Sequence, residues 1–321
     1  MKIIRHIFIA LLTIIILYVG LMYFLKHIKY NGRPITYITN NYYGWKGGDT
    51  YEKFIEFFNS KSYDIVFVGS SRAYRGYSPF IFESSGYKSF NLGTSAQSIK
   101  NTYFVIKNYI NKSNCKVLVV DVFAGSFKQS QLESSSDLIE NLNNSKAAYD
   151  IAVNNKDIRA INMLTLRYLT NNDLPYFNKT DYIGKGYSVT NDSLSPAKRQ
   201  IVIKNEKVIH EKFEIDKEQL DYFKKIVELC ALKKIKVVFV YSPISYFYDY
   251  SVHAPFIKMI IPIMKSYNDH FYDFSKCNGI NTLNHFYDDS HLNQKGVEVF
   301  NKVLIEQLER DHVILQNNES K

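Results

Sequence analysis

The sequence predicts an α/β fold of three layers, α/β/α, in which helices cover both faces of a mainly parallel sheet, preceded by one transmembrane helix. Three observations predict it. From about residue 61 onward, short β-branched runs alternate with segments of helical periodicity, the pattern of strand, crossover and parallel strand. The run "KVVFVYSP" (236–243) is continuously apolar, as in a strand buried on both faces. At the N-terminus, residues 7–25 form an uncharged run rich in Ile, Leu, Val and Phe.

That first run reads as an anchor. Nineteen residues at about 1.5 Å each approach the roughly 30 Å hydrocarbon thickness of a bilayer. A cleaved signal peptide would have a shorter apolar core and a pair of small residues at a cleavage site, and no such pair follows here. Lys2 and Arg5 precede the run while Lys26, Lys29 and Arg33 follow it, so counting basic residues does not orient it. A tail of only six residues is most simply left in the cytoplasm, with the large domain translocated whatever its charge. The expected location is therefore a single-pass protein of the cell membrane with its domain extracytoplasmic.

After the anchor, residues 34–60 with the tract "NNYYGWKGG" read as a surface connection into a helix at 51–59. Strand "DIVFVG" (64–69), strand "KSFNLG" (88–93), a helix at 97–110 and strand "KVLVVD" (116–121) come next. Residues 125–212 are polar and Asn-rich, with helical periodicity at 150–169 and a turn-rich stretch, "YIGKGYSVTNDSLSP". Asp216 and Gln219 suit a capping box for a helix whose apolar stripe runs through Leu220, Phe223, Val227 and Cys230. Strand 236–243, a helix at 255–265, strand "FYDFS" (271–275) and a last helix at 293–308 complete the chain. The expected domains are an anchor at 1–27, a connection at 28–60, the α/β domain at 61–311 with an insertion or lid at 125–212, and a tail at 312–321.

Composition excludes several classes. A hydrophobic content of 46% in 321 residues is that of a packed core, not of a disordered chain. The net charge of +9 is scattered, as at Lys224, Lys225, Lys233, Lys234 and Lys236, which reads as solvated faces, and no nucleic-acid partner is expected. Cys115, Cys230 and Cys277 are widely spaced and odd in number, so neither a disulfide framework nor a zinc spacing is present.

The chemistry concentrates at two places. "VFVGSSRAYRGYSP" (66–79) drops from a buried strand into glycine, two serines and an arginine, and strand ends are where open α/β sheets meet ligands. A serine is a weak nucleophile unless a histidine takes its proton and a carboxylate orients that histidine. "HFYDDSHLNQKG" (285–296) supplies both, since Asp288 and His291 are three apart and Asn293 suits a cap for the following helix. Ser71 is favoured over Ser70 as nucleophile because it would start a helix, where free N–H groups favour developing negative charge. Asp288 is favoured over Asp289 because a tight turn returns position i beside i+3. The bland readings are Ser71 as a helix cap and His291 as a structural histidine, and a further alternative is His285, Asp288, Asp289 and His291 as metal ligands.

On these motifs the chain resembles the SGNH (GDSL-type) hydrolases, over roughly residues 61–310. Gly69, Ser70 and Ser71 match the family's Gly-Asp-Ser, Asp288 and His291 match its late Asp-x-x-His, and "NLGTSAQS" (91–98) is similar to its oxyanion loop. The resemblance implies a flavodoxin-like sheet, Ser71, His291 and Asp288 as catalytic residues, backbone donors at Gly93 and Ala96, and no cofactor. It also departs from the family. Ser70 replaces aspartate, and Phe123 stands near the position of the asparagine of Gly-x-Asn, which would donate to the oxyanion. Losing one such donor costs on the order of a hundredfold in rate. The backbone of 124–126 or Arg72 could substitute, although Arg72 could equally pair with a carboxylate.

Membrane-tethered relatives of this type act on esters of envelope polymers. The resemblance therefore implies a serine esterase or O-acyltransferase, an acylated glycan or other ester as substrate, and polysaccharide-assembly proteins of the envelope as partners. The alternative from another class is a catalytically weak binding or assembly protein that keeps the fold. Phe123 favours the second, and Ser71 with Asp288 and His291 favours the first.

Overall fold

The computed structural model describes residues 1–30, 33–35, 46–128, 132–170, 176–177, 182–204, 206, 214–247, 250–265 and 270–315. Most of the expected surface connection at 34–60 up to residue 45 lies outside them. The chain divides into two compact units, Met1–Tyr51 with Leu132–Lys179, and Glu52–Gln131 with Thr180–Lys321.

In the second unit, five strands form one parallel sheet: β1 (Tyr63–Val68), β2 (Ser89–Asn91), β3 (Cys115–Asp121), β4 (Lys236–Tyr241) and β5 (His270–Asp273), in the order β2-β1-β3-β4-β5. That is the flavodoxin-like order, and its switch point opens a crevice at the carboxyl ends of β1 and β3. Alternate residues explain the three layers. Ile65, Phe67, Val117, Val119, Val238 and Val240 share one cluster with Phe300, Leu304 and Leu308 of the helix Gln294–Arg310. The intervening Val66, Leu118 and Phe239 are equally buried, and Phe239 meets Phe223 of the helix Lys217–Lys233 at 5.1 Å. Burying each of these side chains stabilises the fold by about 1.5–3 kcal/mol, which is why the strands read as unbroken apolar runs.

Local signals set the helix starts. Ser98 Oγ accepts from Asn101 N–H to begin Ile99–Tyr109, and Asn293 accepts from Gly296 N–H to begin Gln294–Arg310. Asp216 caps Lys217–Lys233 through Glu218 N–H at 2.6 Å. The other half of the expected capping box is absent, because Gln219 is buried and its Oε1 accepts from Lys100 N–H at 2.9 Å. All three cysteines are buried free thiols.

The first unit is mainly helical, with two pairs of two-residue strands, Lys29–Tyr30 with Arg33–Pro34 and Lys46–Gly47 with Tyr176–Phe177. Lys2–Leu25 has 24 residues, an 18-residue stretch of which has a mean hydropathy of 2.6, so at about 36 Å it is long and apolar enough to cross a membrane. Tyr18 Oη donates to Asn162 Oδ1 at 2.7 Å on the helix Ile158–Thr170. The single helix expected at 150–169 is two, Ser145–Asn155 and Ile158–Thr170. Lys156 at φ +61° breaks them. Arg167 ties Ile158–Thr170 to the helix Leu132–Asn141 by donating to the carbonyls of Ile139, Glu140 and Leu142 at that helix's C-terminal end.

Candidate active site

β1 ends at Val68, and Gly69 follows at φ +147°. A Cβ on Gly69 would lie 3.0 Å from Asp121 Cβ and 3.1 Å from Ala73 Cβ, so the chain leaves the sheet beside β3 only as glycine. Ser70 then caps the helix Ser71–Gly76, its Oγ accepting from Arg72 N–H at 3.4 Å. The two serines are thereby separated in role. Ser70 Oγ faces the helix backbone, and Ser71 Oγ lies 2.7 Å from His291 Nε2.

His291 reaches the sheet edge from the loop before Gln294–Arg310. Its Nδ1 is 2.9 Å from both oxygens of Asp288. Asp288 Oδ1 also accepts from the Ser290 and His291 N–H groups, each at 2.9 Å, so the carboxylate folds the loop into the turn that the i, i+3 spacing requires. Burial alone would raise the pKa of Asp288. The hydrogen bonds from His291 and from the Ser290 and His291 backbone outweigh it and hold the carboxyl well below the usual range. An ionised carboxylate only accepts, so Nδ1 donates to Asp288, Nε2 is left as the acceptor and the Ser71 hydroxyl donates to it. Asp289 points elsewhere, with a half-exposed side chain paired to Lys198 Nζ at 2.5 Å.

The remaining expected residues have other surroundings. Of the two uses open to Arg72, the structure holds the internal one. It is 4% exposed and its Nη1 donates to Ser290 O at 2.7 Å, while Nη2 donates to Ser242 O and Oγ and to Pro243 O. Nε sits 3.8 Å from Asp121 Oδ1, and the guanidinium lies over the Phe123 ring at 4.5 Å. The residue beside Ser71 is thus bonded to the residue beside His291, which fixes the two halves of the site against each other. Asp121 is buried at the end of β3 and accepts from Tyr77 Oη at 2.8 Å. Burial pushes its carboxyl up against the opposing pull of Arg72 and Tyr77.

Gly93 departs from its expected role as a donor, because its N–H is directed to Asn91 Oδ1 at 2.9 Å. Glycine is required there for space: a Cβ would lie 2.9 Å from both Ala73 Cβ and Tyr74 N. Ala96 is exposed at φ +47°, a left-handed conformation that costs alanine about 1–2 kcal/mol. Its turn is held by Thr94 Oγ1 donating to Gln97 Oε1 at 2.8 Å and Gln97 Nε2 donating to Thr102 Oγ1 at 2.9 Å. Among the described residues, the N–H groups of Ala96 and of Ser71, the first residue of its helix, have no partner. Residues Ala124–Phe127 form a 3₁₀ turn in which Ser126 N–H donates to Phe123 O at 2.9 Å.

Sequence reading missed two asparagines that hold the serine helix. Asn91 Nδ2 donates to the carbonyls of Ala73 and Tyr77, at 2.8 and 2.9 Å. Asn301 accepts from Ser78 N–H and donates to Gly76 O, both at 2.7 Å. The signal for Asn301 is a polar residue on the apolar face made by Val297, Phe300, Leu304 and Leu308. Lys53, also missed, is 2% exposed and donates to Gly93 O at 2.6 Å. On the Asp288 side lies a groove of about 790 Å³ lined by Tyr287, Lys198, Arg199, Asp192 and Leu194 among others. The expected metal alternative has no counterpart among the described residues, where no three His, Cys, Asp or Glu groups gather.

No family model matches the sequence, and no curated protein does. Solved structures similar at a distance include these three. One is a protein assigned to the G-D-S-L lipolytic family from Desulfitobacterium hafniense, with TM-score 0.41 and 11% identity over 76% of this chain and 98% of that one. A second is a protein assigned as an acylhydrolase from Bacteroides fragilis, with TM-score 0.41 and 12% identity over 81% of this chain and 94% of that one. The third is a gut microbial diltiazem-metabolizing enzyme, with TM-score 0.27 and 13% identity over 77% of this chain but 46% of that one.

Proposed function

We propose that this chain is a serine esterase or O-acyltransferase of SGNH type, anchored by Lys2–Leu25 with its α/β domain outside the cell membrane. Its substrates are acyl esters of envelope or extracellular polysaccharide. The observation that carries the activity is the unbroken relay Ser71 Oγ, His291 Nε2, His291 Nδ1 and Asp288 at the carboxyl edge of β1.

In this reading His291 takes the Ser71 proton as Oγ attacks the ester carbonyl, and Asp288 stabilises the imidazolium that forms. The tetrahedral oxyanion faces the helix start, where the Ser71 N–H is free, with the Ala96 N–H as second donor. His291 then returns the proton to the leaving alkoxide, and the acyl group stays on Ser71 until water or a sugar hydroxyl attacks it. The charge-relay geometry is the same for hydrolysis and transfer.

A second reading, a weakly catalytic binding protein, is favoured by one specific observation. Phe123 stacks on Arg72 where a side-chain donor is expected, and the Gly93 N–H is already taken. Fluorophosphonate labelling of the full chain in detergent separates the two. The enzyme reading expects labelling of the parent and of Ser70→Ala, and none of Ser71→Ala. Absence of labelling in the parent would leave the binding reading. Release of acetate from an O-acetylated glycan, lost in Ser71→Ala, tests the substrate class.

A further inference from the structure

Arg75 follows Ser71 by four residues on the same short helix, so the two side chains rise from one face with their Cβ atoms about 5–6 Å apart. The residue is half-buried. Among the described residues no carboxylate lies within 4 Å of it, and its hydrogen bonds are two long ones, Nε to Tyr74 Oη and Nη1 to Thr190 Oγ1, both 3.4 Å. Nη2 has no partner among them. The rings of Tyr74 and Tyr287 flank the guanidinium, with centroids at 5.5 and 5.9 Å.

This contrasts with two other arginines taken out of water. Arg72 and Arg167 direct their donors at three or more carbonyl or hydroxyl oxygens each. A charge taken partly out of water is costly unless it is paired, and Arg75, one turn from Ser71, keeps Nη2 open with only two long bonds at its other nitrogens. Asp288 attracts it from beyond ion-pair range, but the oxygens of Asp288 are engaged by His291 and by the Ser290 N–H. The frame around Arg75 is fixed. Ser188 N–H donates to Tyr74 O at 3.1 Å, and Gln294 N–H, just beyond His291, donates to Thr190 O at 2.8 Å.

We propose that Arg75 is the binding site for an anionic group of the ester substrate, a carboxylate, phosphate or sulfate carried about one helical turn, roughly 5.4 Å, from the carbonyl that Ser71 attacks. The proposal rests on the reading of Ser71 as nucleophile. The anion completes the guanidinium's hydrogen bonds as a planar fork matches an oxyanion pair. It approaches between Tyr74 and Tyr287, beside Thr190. The anion can sit on either side of the ester oxygen, and the two sides are told apart by probe.

The test uses the full chain in neutral detergent, with kcat/KM for two matched pairs. On the alcohol side the pair is 4-acetoxybenzoate and its methyl ester, and on the acyl side mono-4-nitrophenyl succinate and 4-nitrophenyl butyrate. The charged member of at least one pair is preferred in the parent. Arg75→Gln lowers that charged-to-neutral ratio at least tenfold, Arg75→Lys falls between, and added salt shrinks the parent's preference. Ligand-observed NMR with the uncleavable amides 4-acetamidobenzoate and N-(4-nitrophenyl)succinamate reads binding without turnover, and each variant is first shown to melt like the parent. Arg75-dependent binding of a charged amide with no ester cleavage would support the anion site and sink the esterase reading. Equal binding of charged and neutral probes, or the same loss for both in Arg75→Gln, would overturn the anion site whatever the activity.

Discussion

Replacing Asp288 by Asn removes one charge and changes almost no volume, and the surrounding hydrogen bonds determine how the loop responds. Both backbone donors, Ser290 N–H and His291 N–H, go to Oδ1, whereas Oδ2 meets only His291 Nδ1. The amide oxygen of the introduced asparagine would therefore keep the Oδ1 position and both backbone bonds, and its NH₂ would fall opposite Nδ1. Nδ1, 2.9 Å from both positions, then faces a donor at the Oδ2 position; where it accepts from that NH₂ the proton moves to Nε2, and Nε2 can no longer receive the Ser71 proton. Loss of the wrong-tautomer kind reaches about 10⁴-fold in kcat for a serine triad, or roughly 5.4 kcal/mol of barrier. The fold is expected to lose only the charge assistance of the retained bonds, about 1–2 kcal/mol. Asp289→Asn breaks only a half-exposed pair with Lys198, worth about 0–1 kcal/mol, and should turn over like the parent. The assay is 4-nitrophenyl acetate hydrolysis by both variants, after thermal melts show each folded. An Asp288→Asn enzyme within tenfold of the parent, or a dead Asp289→Asn enzyme, would refute the tautomer argument.

Three further outcomes are expected. Gly93→Ala drives a Cβ to 2.9 Å from Ala73 Cβ and Tyr74 N, overpacking that costs about 1–3 kcal/mol, read as a lower urea midpoint at unchanged m; an unchanged midpoint would mean that the loop yields freely. The Asp288 carboxyl is depressed in the folded chain, so its contribution to stability is complete above the unfolded value of about 3.9 and is lost as pH falls through the folded one. The stability gap between parent and Asp288→Asn should thus narrow below about pH 4, and a constant gap from pH 7 to 3 would contradict the linkage. If Lys2–Leu25 anchors the domain outside, protease added to intact protoplasts should remove everything after about residue 30, whereas protection until lysis would place it inside.

The layers of the fold and the chemistry of the relay were legible in the sequence for local reasons. A strand buried on both faces is apolar along its buried stretch, as 65–68, 117–120 and 237–241 are, and the start of the last helix takes a capping residue where Asn293 stands. A serine that is to be deprotonated needs a histidine and a carboxylate, and the i, i+3 spacing of Asp288 and His291 closes within one turn. What the sequence could not reach are partners many residues away. Arg72 finds Ser290 and Ser242, 218 and 170 positions on, Asn301 finds Ser78 across 223, and Asn91 takes the Gly93 N–H that the motif alone offers to an oxyanion. Periodicity specifies which face of an element is buried, whereas the partner of a buried polar group is set by which elements the sheet order β2-β1-β3-β4-β5 brings side by side. Since a buried donor can be satisfied only by an acceptor that this packing places within about 3 Å, only the tertiary structure decided that Arg72 would be a strut and that Arg75 would keep an open face beside Ser71.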